Sequence, residues 1–436
     1  MPDRLAWARA VLRDLYLDAL EAVRGERLVR SLGSFDGERW SIRHDGRTID
    51  WTIPAGGRLI VVGAGKAAAS MAKGIEAVLG DRIDDGCIIV KHGHREDLHY
   101  IRQLEAGHPI PDEAGVSATT ELLRTITGLT SEDRVIVLVT GGASALMVAP
   151  VDGVTLREKA SATDMLLRSG ATIEEINGIR KRLSRVKGGR LLDHVGGACV
   201  LTLLISDVPG GDAGVIGSGP TIVTDDDHDR PDLFAKYGLE DRVAPSIVRC
   251  LAQDDEFRER PCGDRAIALV LADVHTLVRD IRKRAVEQGL AIGTVEARMM
   301  GDTHSAARTM VAVMRSTSRS DRPSLSVFAG ETTLQVKGNG RGGRNQEFAL
   351  VAAMAIAGAA DMALLCAGTD GTDGPTDAAG AFADGNLVAR AISSGLDPQV
   401  MLDRNDSYSL FERTGDLFQT GPTGTNVMDL ILGLVW

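Results

Sequence analysis

Seven short apolar runs constrain this chain more than any other feature. They lie over residues 58–63, 86–91, 135–140, 200–206, 266–272, 324–329 and 362–367, and most are rich in Val, Ile and Leu on both faces. A strand that is apolar on both faces must be covered on both, which suits parallel strands between two layers of helix. Helical patterns lie between the runs, as over residues 67–79, 115–127, 274–288 and 346–357. Alternating strand and helix predicts a doubly wound α/β architecture. Glycine supports this. The 50 glycines in 436 residues exceed the usual ~7%, and they cluster without period at the ends of the apolar runs, where α/β enzymes keep their loops.

At ~100–200 residues per domain the length predicts two domains. The polar segment 224–265, with prolines and the acidic run Asp225–Asp229, is the natural boundary, dividing a Rossmann-like unit 1–240 from a second α/β unit 241–436. A long loop or helical excursion within one domain is the alternative. The last thirty residues are Gly-rich, read as helical from about Thr425, and could pack back on the first unit. Residues 1–20 carry charges throughout, alternate like an amphipathic helix and lack the apolar stretch of a signal peptide. No run of ~18 apolar residues predicts a membrane span. The five cysteines form no CxxC or Cys/His cluster. Cys87, Cys199 and Cys366 lie in or beside apolar runs, as core thiols of a reducing, cytoplasmic protein without structural zinc. The net charge of −11 argues against a nucleic-acid partner but not against a small anionic one.

The chemistry gathers at the strand ends. VVGAGKAAASMAKGI (61–75) turns through Gly63 and Gly65 into a helix that carries Lys66. Free amides and positive potential at a helix start suit an anion. This is neither a Walker A motif nor a full GxGxxG, since Ala68 stands where the third glycine is needed. VIVLVTGGASALMVAP (135–150) ends a strand in Gly141-Gly142 with Ser144, a nest for a carboxylate or oxyanion. It reads GGASA rather than GxSxG, so a nucleophilic serine is not expected. INGIRKRLSRVKGGRL (176–191) concentrates six cations, with Arg180 and Ser184 on one helix face and Lys187 a turn onward. A solvated basic helix is the plainer alternative. ISDVPGGDAGVIGSGP (205–220) delivers Asp207 at a strand end, with Gly210 and Gly211 as further backbone donors. A carboxylate there can hold Mg²⁺ or orient a hydroxyl. FAGETTLQVKGNGRGGRNQEFAL (328–350) brings Glu331, Arg344 and Asn345. Arg344 suits a transferring phosphoryl group through planar paired donors. AGTDGTDGPTDAAGAF (367–382) releases Asp370, Asp373 and Asp377, for Mg²⁺ or for ribose or substrate hydroxyls, without the ligand order of an EF-hand. Cationic loops at some strand ends and carboxylates at others are what phosphoryl transfer requires.

The order and wording of these motifs resembles the type II glycerate kinases, the glycerate 2-kinase family with a C-terminal MOFRL domain. The segments that carry the resemblance are GAGKAA at Gly63, EAGHPIPD at Glu105, VTGGASAL at Val139, NGIRKRLSRVKGGRL at Asn177, SDVPGGDAGVIGSGP at Ser206, GETT at Gly330, GRGGRNQE at Gly340 and AGTDGTDGPTDAAG at Ala367. The resemblance implies MgATP-dependent phosphorylation of D-glycerate at O2, a Rossmann-like domain joined to a second α/β domain, and an active site in the interdomain cleft. Lys66 and Arg344 match the family's catalytic Lys and Arg. With that premise, Asp207 is a base or metal ligand. Asp370 and Asp373 hold metal or substrate. Gly63, Gly65, Gly141, Gly142, Ser144, Arg180, Lys187, Gly210, Gly211, Glu331 and Asn345 bind substrate or phosphate. The partners expected are glycerate and a nucleotide, with homodimerisation left open. Two other readings compete. An NAD(P)H-dependent hydroxypyruvate reductase lacks support, because GAGKAA is no full dinucleotide fingerprint and the next strand ends in Val90-Lys91-His92 rather than an acidic residue. A non-catalytic sugar-acid or nucleotide sensor fits poorly with so many charged strand-end loops.

Overall fold

After the helices Arg4–Ala22 and Gly25–Ser31 comes a small antiparallel meander of β1 (Gly33–Phe35), β2 (Arg39–His44) and β3 (Arg47–Thr52). Asp45 and Gly46 join β2 to β3 with φ of 48° and 72°, the two positive values that a tight hairpin turn demands. The apolar-run reading did not anticipate this meander. The computed structural model describes residues 4–208, 210–223, 233–252, 265–317, 321 and 323–436. The acidic run Asp225–Asp229, Cys262 and Pro209 lie outside the described residues.

The next six strands are β4 (Leu59–Ala64), β5 (Asp85–Lys91), β6 (Arg102–Ala106), β7 (Arg134–Val139), β8 (Cys199–Ile205) and β9 (Ala266–Ala272). They form one sheet in the order β6-β5-β4-β7-β8-β9. The pairs β4–β5, β4–β7, β5–β6 and β7–β8 are parallel. β4 is buried at every position, and β7 and β8 at every position but the first, as strands covered on both faces should be. The chain winds outward from β4 to β6, then starts again beside β4 with β7. This is the doubly wound Rossmann-like order, and β4/β7 is its topological switch point. Between β7 and β9, the helices Leu156–Arg168, Ile173–Arg182, Leu233–Lys236 and Pro245–Ala252 close a small separate core that includes Leu166, Ile179, Phe234 and Ile247.

The second large sheet takes β10 (Ala291–Met299), β11 (Ser324–Gly330), β12 (Met362–Gly368), β13 (Gly380–Asp384), β14 (Leu417–Phe418) and β15 (Asp429–Val435), in the order β10-β11-β15-β12-β13-β14. Only β10–β11 is parallel among its pairs. The last strand therefore lies antiparallel at the centre, between β11 and β12. This corrects the helical reading from Thr425 and the packing of the C-terminus on the first unit. β15 is buried at all seven positions, and an unbroken apolar run has no period to separate strand from helix.

The chain divides into two compact units. One is Gly25–Leu271. The other is Met1–Arg24 with Ala272–Trp436. The boundary expected near residue 240 thus falls after Leu271, because β9 belongs to the first large sheet instead of opening the second. The helix Arg4–Ala22 joins the C-terminal unit. It buries Leu12, Leu15, Tyr16 and Ala19, and Tyr16 donates its hydroxyl to the Gly368 carbonyl at 2.8 Å. Arg9 reaches Asp416 and, at 2.5 Å, Asp384, the two carboxylates that Arg390 also pairs. Cys87 and Cys366 are buried, Cys199 and Cys250 partly so, and Cys87, Cys199 and Cys366 are free thiols. Among the described residues no helix is long and apolar enough to cross a membrane.

Candidate active site

In the N-terminal unit the loops after β4 and β7 are stitched together at the switch point. Lys66 N–H donates to the Gly141 carbonyl at 2.9 Å, and Ala67 N–H to Thr140 Oγ at 3.1 Å. Gly65 makes this approach possible, since at its φ of 138° a Cβ would stand 2.0 Å from Thr140 Oγ. Gly63 plays a different part from the one expected. It lies inside β4, paired with Ile88 and Leu138, so it is a packing glycine. Gly142 is left-handed, precedes the single helical turn Ala143–Leu146, and lets the His108 ring and the Lys66 side chain close around it. His108 was missed as a site residue, although the EAGHPIPD motif contains it.

Ser144 Oγ lies 3.1 Å from Ser218 Oγ. Lys187 Nζ donates to the Ser144 carbonyl at 2.7 Å and also to its hydroxyl. The helix expected through this region stops early, at Arg182, so Ser184 and Lys187 do not extend the face of Arg180. Arg190 explains the stop. Its guanidinium takes the carbonyls of Lys181, Arg182 and Ser184 at 3.2, 3.0 and 2.8 Å. Lys187 then turns inward, while Arg185 faces out toward Asp152 at 3.6 Å. The basic run is therefore not one solvated face. Burial, and then the charges of Lys159 and Arg180, push the Lys187 ammonium well below its ordinary pKa. Asp207 is partly buried just past β8, at the same sheet edge as the loops after β4 and β7. Gly210 and Gly211 follow with φ of 91° and 68°, and Gly211 N–H closes on the Val208 carbonyl at 3.0 Å.

The C-terminal unit builds a second polar centre. Because β15 runs antiparallel to its neighbours, its first residue Asp429 pairs with Gly330 and Gly368, the last residues of β11 and β12. Arg344 holds Asp429 through Nε at 2.5 Å and a terminal nitrogen at 3.2 Å, and its other terminal nitrogen meets Glu331. Burial works against the Arg344 charge, but Asp429 and then Glu331 outweigh it and raise its pKa. Asn345 Nδ2 bridges Asp373 at 3.2 Å and Asp429 at 3.0 Å. Asp373 is the cap of the helix Arg344–Ala355. One of its oxygens accepts Asn345 N–H at 3.1 Å, the other Gln346 N–H at 2.8 Å. At the N-cap, Gly343 leaves room for it, since a Cβ there would lie 2.3 Å from the Asp373 carboxyl carbon. Burial and neighbouring Asp429 raise Asp373 to about 7 despite these amides. The amides engage both its oxygens, so Asp373 also fixes the start of this helix. Among the described residues no group of three or more His, Cys, Asp or Glu could hold a metal. Asp370 is buried, with Oδ1 accepting from Thr372 N–H at 3.0 Å. Beside these carboxylates, burial and then Asp370, Asp429 and Asp373 push the Tyr16 hydroxyl well above its ordinary pKa.

Comparison with known proteins matches two families in succession along the chain. A family described as a domain of unknown function, DUF4147, matches residues 11–252, and the MOFRL family matches residues 324–429. A D-glycerate 2-kinase of Thermotoga maritima is 41% identical over 87% of this chain and 91% of its own length. A protein of Agrobacterium vitis, provisionally named a hydroxypyruvate reductase, is 36% identical over 86% of this chain and 98% of its own. The crystal structure of a glycerate kinase from Thermotoga maritima superposes with a TM-score of 0.81 at 36% identity, covering 99% of this chain and 100% of that one.

Proposed function

The chain belongs to the glycerate kinases that carry a C-terminal MOFRL domain, and on that premise we propose that it transfers the γ-phosphoryl group of ATP to O2 of D-glycerate, giving 2-phosphoglycerate and ADP. The observation that carries the reading is the joined pair of loops at the β4/β7 switch point, where Lys66 and the glycine-rich turn 141–144 share one sheet edge with Asp207. Small anions bind at such crevices in α/β folds.

Phosphoryl transfer asks for positioning and charge neutralisation more than for covalent work by the protein. Lys66 supplies positive charge to the transferring group. Arg344, from the C-terminal unit, is assigned the same task, with Asp429 fixing the plane of its guanidinium. Asp207 takes the proton of the attacking hydroxyl. Ser144 and the amides of Gly141 and Gly142 hold the anionic end of the substrate. Magnesium enters with ATP, and Mg²⁺ needs only one or two protein carboxylates beside phosphate oxygens. Asp370 and Asp373, hard oxygen donors past the end of β12, fit that role, each with lone pairs left beside the hydrogen bonds it accepts. When bound, the ion neutralises phosphate charge. A cytoplasmic setting belongs to the same proposal, supported by the free thiols of Cys87, Cys199 and Cys366.

³¹P NMR of ATP with D-glycerate tests the reaction directly. A 2-phosphoglycerate resonance growing with ADP is the expected result. A 3-phosphate product would correct the position of transfer. NADH oxidation by hydroxypyruvate without ATP turnover would replace the kinase with the reductase.

A further inference from the structure

Lys159 lies on the helix Leu156–Arg168, on the face turned to the interior, and only 6% of it is exposed. Its ammonium has no hydrogen-bond partner. A buried lysine ordinarily finds a carboxylate, because an uncompensated charge away from water is costly. Among the described residues, neither Lys159 nor its neighbours Lys187 and Arg180 make an ion pair. Lys187 touches only the two neutral oxygens of Ser144, and Arg180 only the side-chain oxygen of Asn177 at 3.5 Å. A further cation, Arg190, is held by the carbonyls of Lys181, Arg182 and Ser184 and lies outside the group of three. The cations feel one another. Burial, and then Arg180 and Arg190, hold Lys159 down at about 7. Two buried lysines, Lys159 and Lys187, with partly buried Arg180 and no ion pair on any of the three among the described residues, make a place for an anion brought from outside.

We propose that Lys159, with Arg180, Lys187 and the Ser144 hydroxyl, forms a binding site for a small oxyanion, and that Lys159 Nζ is its unassigned anion-binding contact. The site rests on the kinase reading only for the source of that anion, which is either the carboxylate of glycerate or a phosphate of the nucleotide. Both present the same chemistry, two or three oxygens sharing negative charge. Binding would raise the proton affinity of Lys159 and Lys187.

The test compares wild type, Lys159→Met and Lys159→Arg by thermal unfolding with inorganic phosphate, D-glycerate or ATP, and by steady-state kinetics. Lys159→Met removes an unpaired buried charge for a similar apolar volume, so the ligand-free variant should be at least as stable as wild type. Its stabilisation by phosphate should be lost. One KM should rise by about 10- to 100-fold, the size of one charge-assisted hydrogen bond, while kcat changes less. A rise for glycerate assigns the carboxylate, and a rise for ATP assigns the phosphate. Lys159→Arg should restore most of the response. A purely structural lysine predicts the reverse, a less stable variant with unaltered KM values, and that result overturns the site. So does a wild-type protein that phosphate, glycerate and ATP all fail to stabilise. A wild type that phosphate stabilises but that turns over no glycerate would refute the kinase reading and leave the anion site standing.

Discussion

Lys66 and Arg344 are both assigned to phosphate charge, yet their surroundings make their variants behave differently. The loop of Lys66 is held by its backbone, through Lys66 N–H to Gly141 and Ala67 N–H to Thr140. Lys66→Ala should therefore keep the fold while kcat falls by about 10³-fold. Arg344 is also the partner of Asp429, which is buried. Arg344→Ala leaves that carboxylate without its counter-charge and should cost about 3 kcal/mol, so lost activity would mix two causes. Arg344→Lys keeps the charge and loses the planar pair of donors. It should hold Tm near wild type and lower kcat by about 10²-fold. Unfolding scans beside initial rates separate these outcomes, and near-normal kcat in Lys66→Ala or Arg344→Lys rejects the role of that residue. The positions of Lys66 and Asp207 just past strand ends, and of Arg344 in a glycine loop before a helix, could be read from the sequence, while their roles belong to the proposal. Asp429 was not legible, because its partner Arg344 is 85 residues away and only strand pairing joins them. Lys159 was hidden for another reason. It stands in an ordinary amphipathic helix, where a lysine is expected to face water.

At the scale of elements, the strands covered on both faces read clearly, since Val, Ile and Leu runs bounded by glycine have few other uses. The meander β1–β3 escaped because its strands are short and half polar, although the Asp45-Gly46 turn announces the hairpin. The start of the helix Arg344–Ala355 was also misread, and its cap carries a pH dependence. Asp373 binds its proton up to about 7 in the folded chain, against 3.8 as its ordinary value. Between these pH values the folded state holds the proton and the unfolded state does not, so stability is full below about 4 and declines as pH rises through about 7. Asp373→Asn replaces the carboxyl with a neutral group of the same shape. The stability of wild type minus that of Asp373→Asn should fall from pH 4 to pH 7, as read by urea unfolding. A difference that is level or rising over this window would show that Asp373 is ionised throughout.

For the whole molecule, the two units were legible as a count but not as a division. An acidic, polar stretch near residue 225 looks like a linker, but a boundary is set by which sheet a strand joins, and β9 joins the first large sheet. The N-terminal helix shows the same limit from the other side. Its amphipathic pattern announces a buried face without naming what covers it, and the cover is the helix Val274–Glu287 with β12, β15 and the ion cluster of Arg9, Arg390, Asp384 and Asp416. Proximity in sequence would place residues 1–24 with the unit that begins at Gly25, whereas packing places them with Ala272–Trp436. Deleting residues 1–24 discriminates between the two. The deletion strips Leu12, Leu15 and Tyr16 from the core and leaves Asp384 and Asp416 with Arg390 alone. Burying one such apolar side chain is worth about 1.5–3 kcal/mol, so the loss is large beside a domain's stability of about 5–15 kcal/mol. Hydrogen exchange should therefore speed up in β12 and β15, which form the centre of the second large sheet, while β4 and β7 keep their protection. Faster exchange confined to β4 and β7, or equal in both units, would put the helix in the wrong unit.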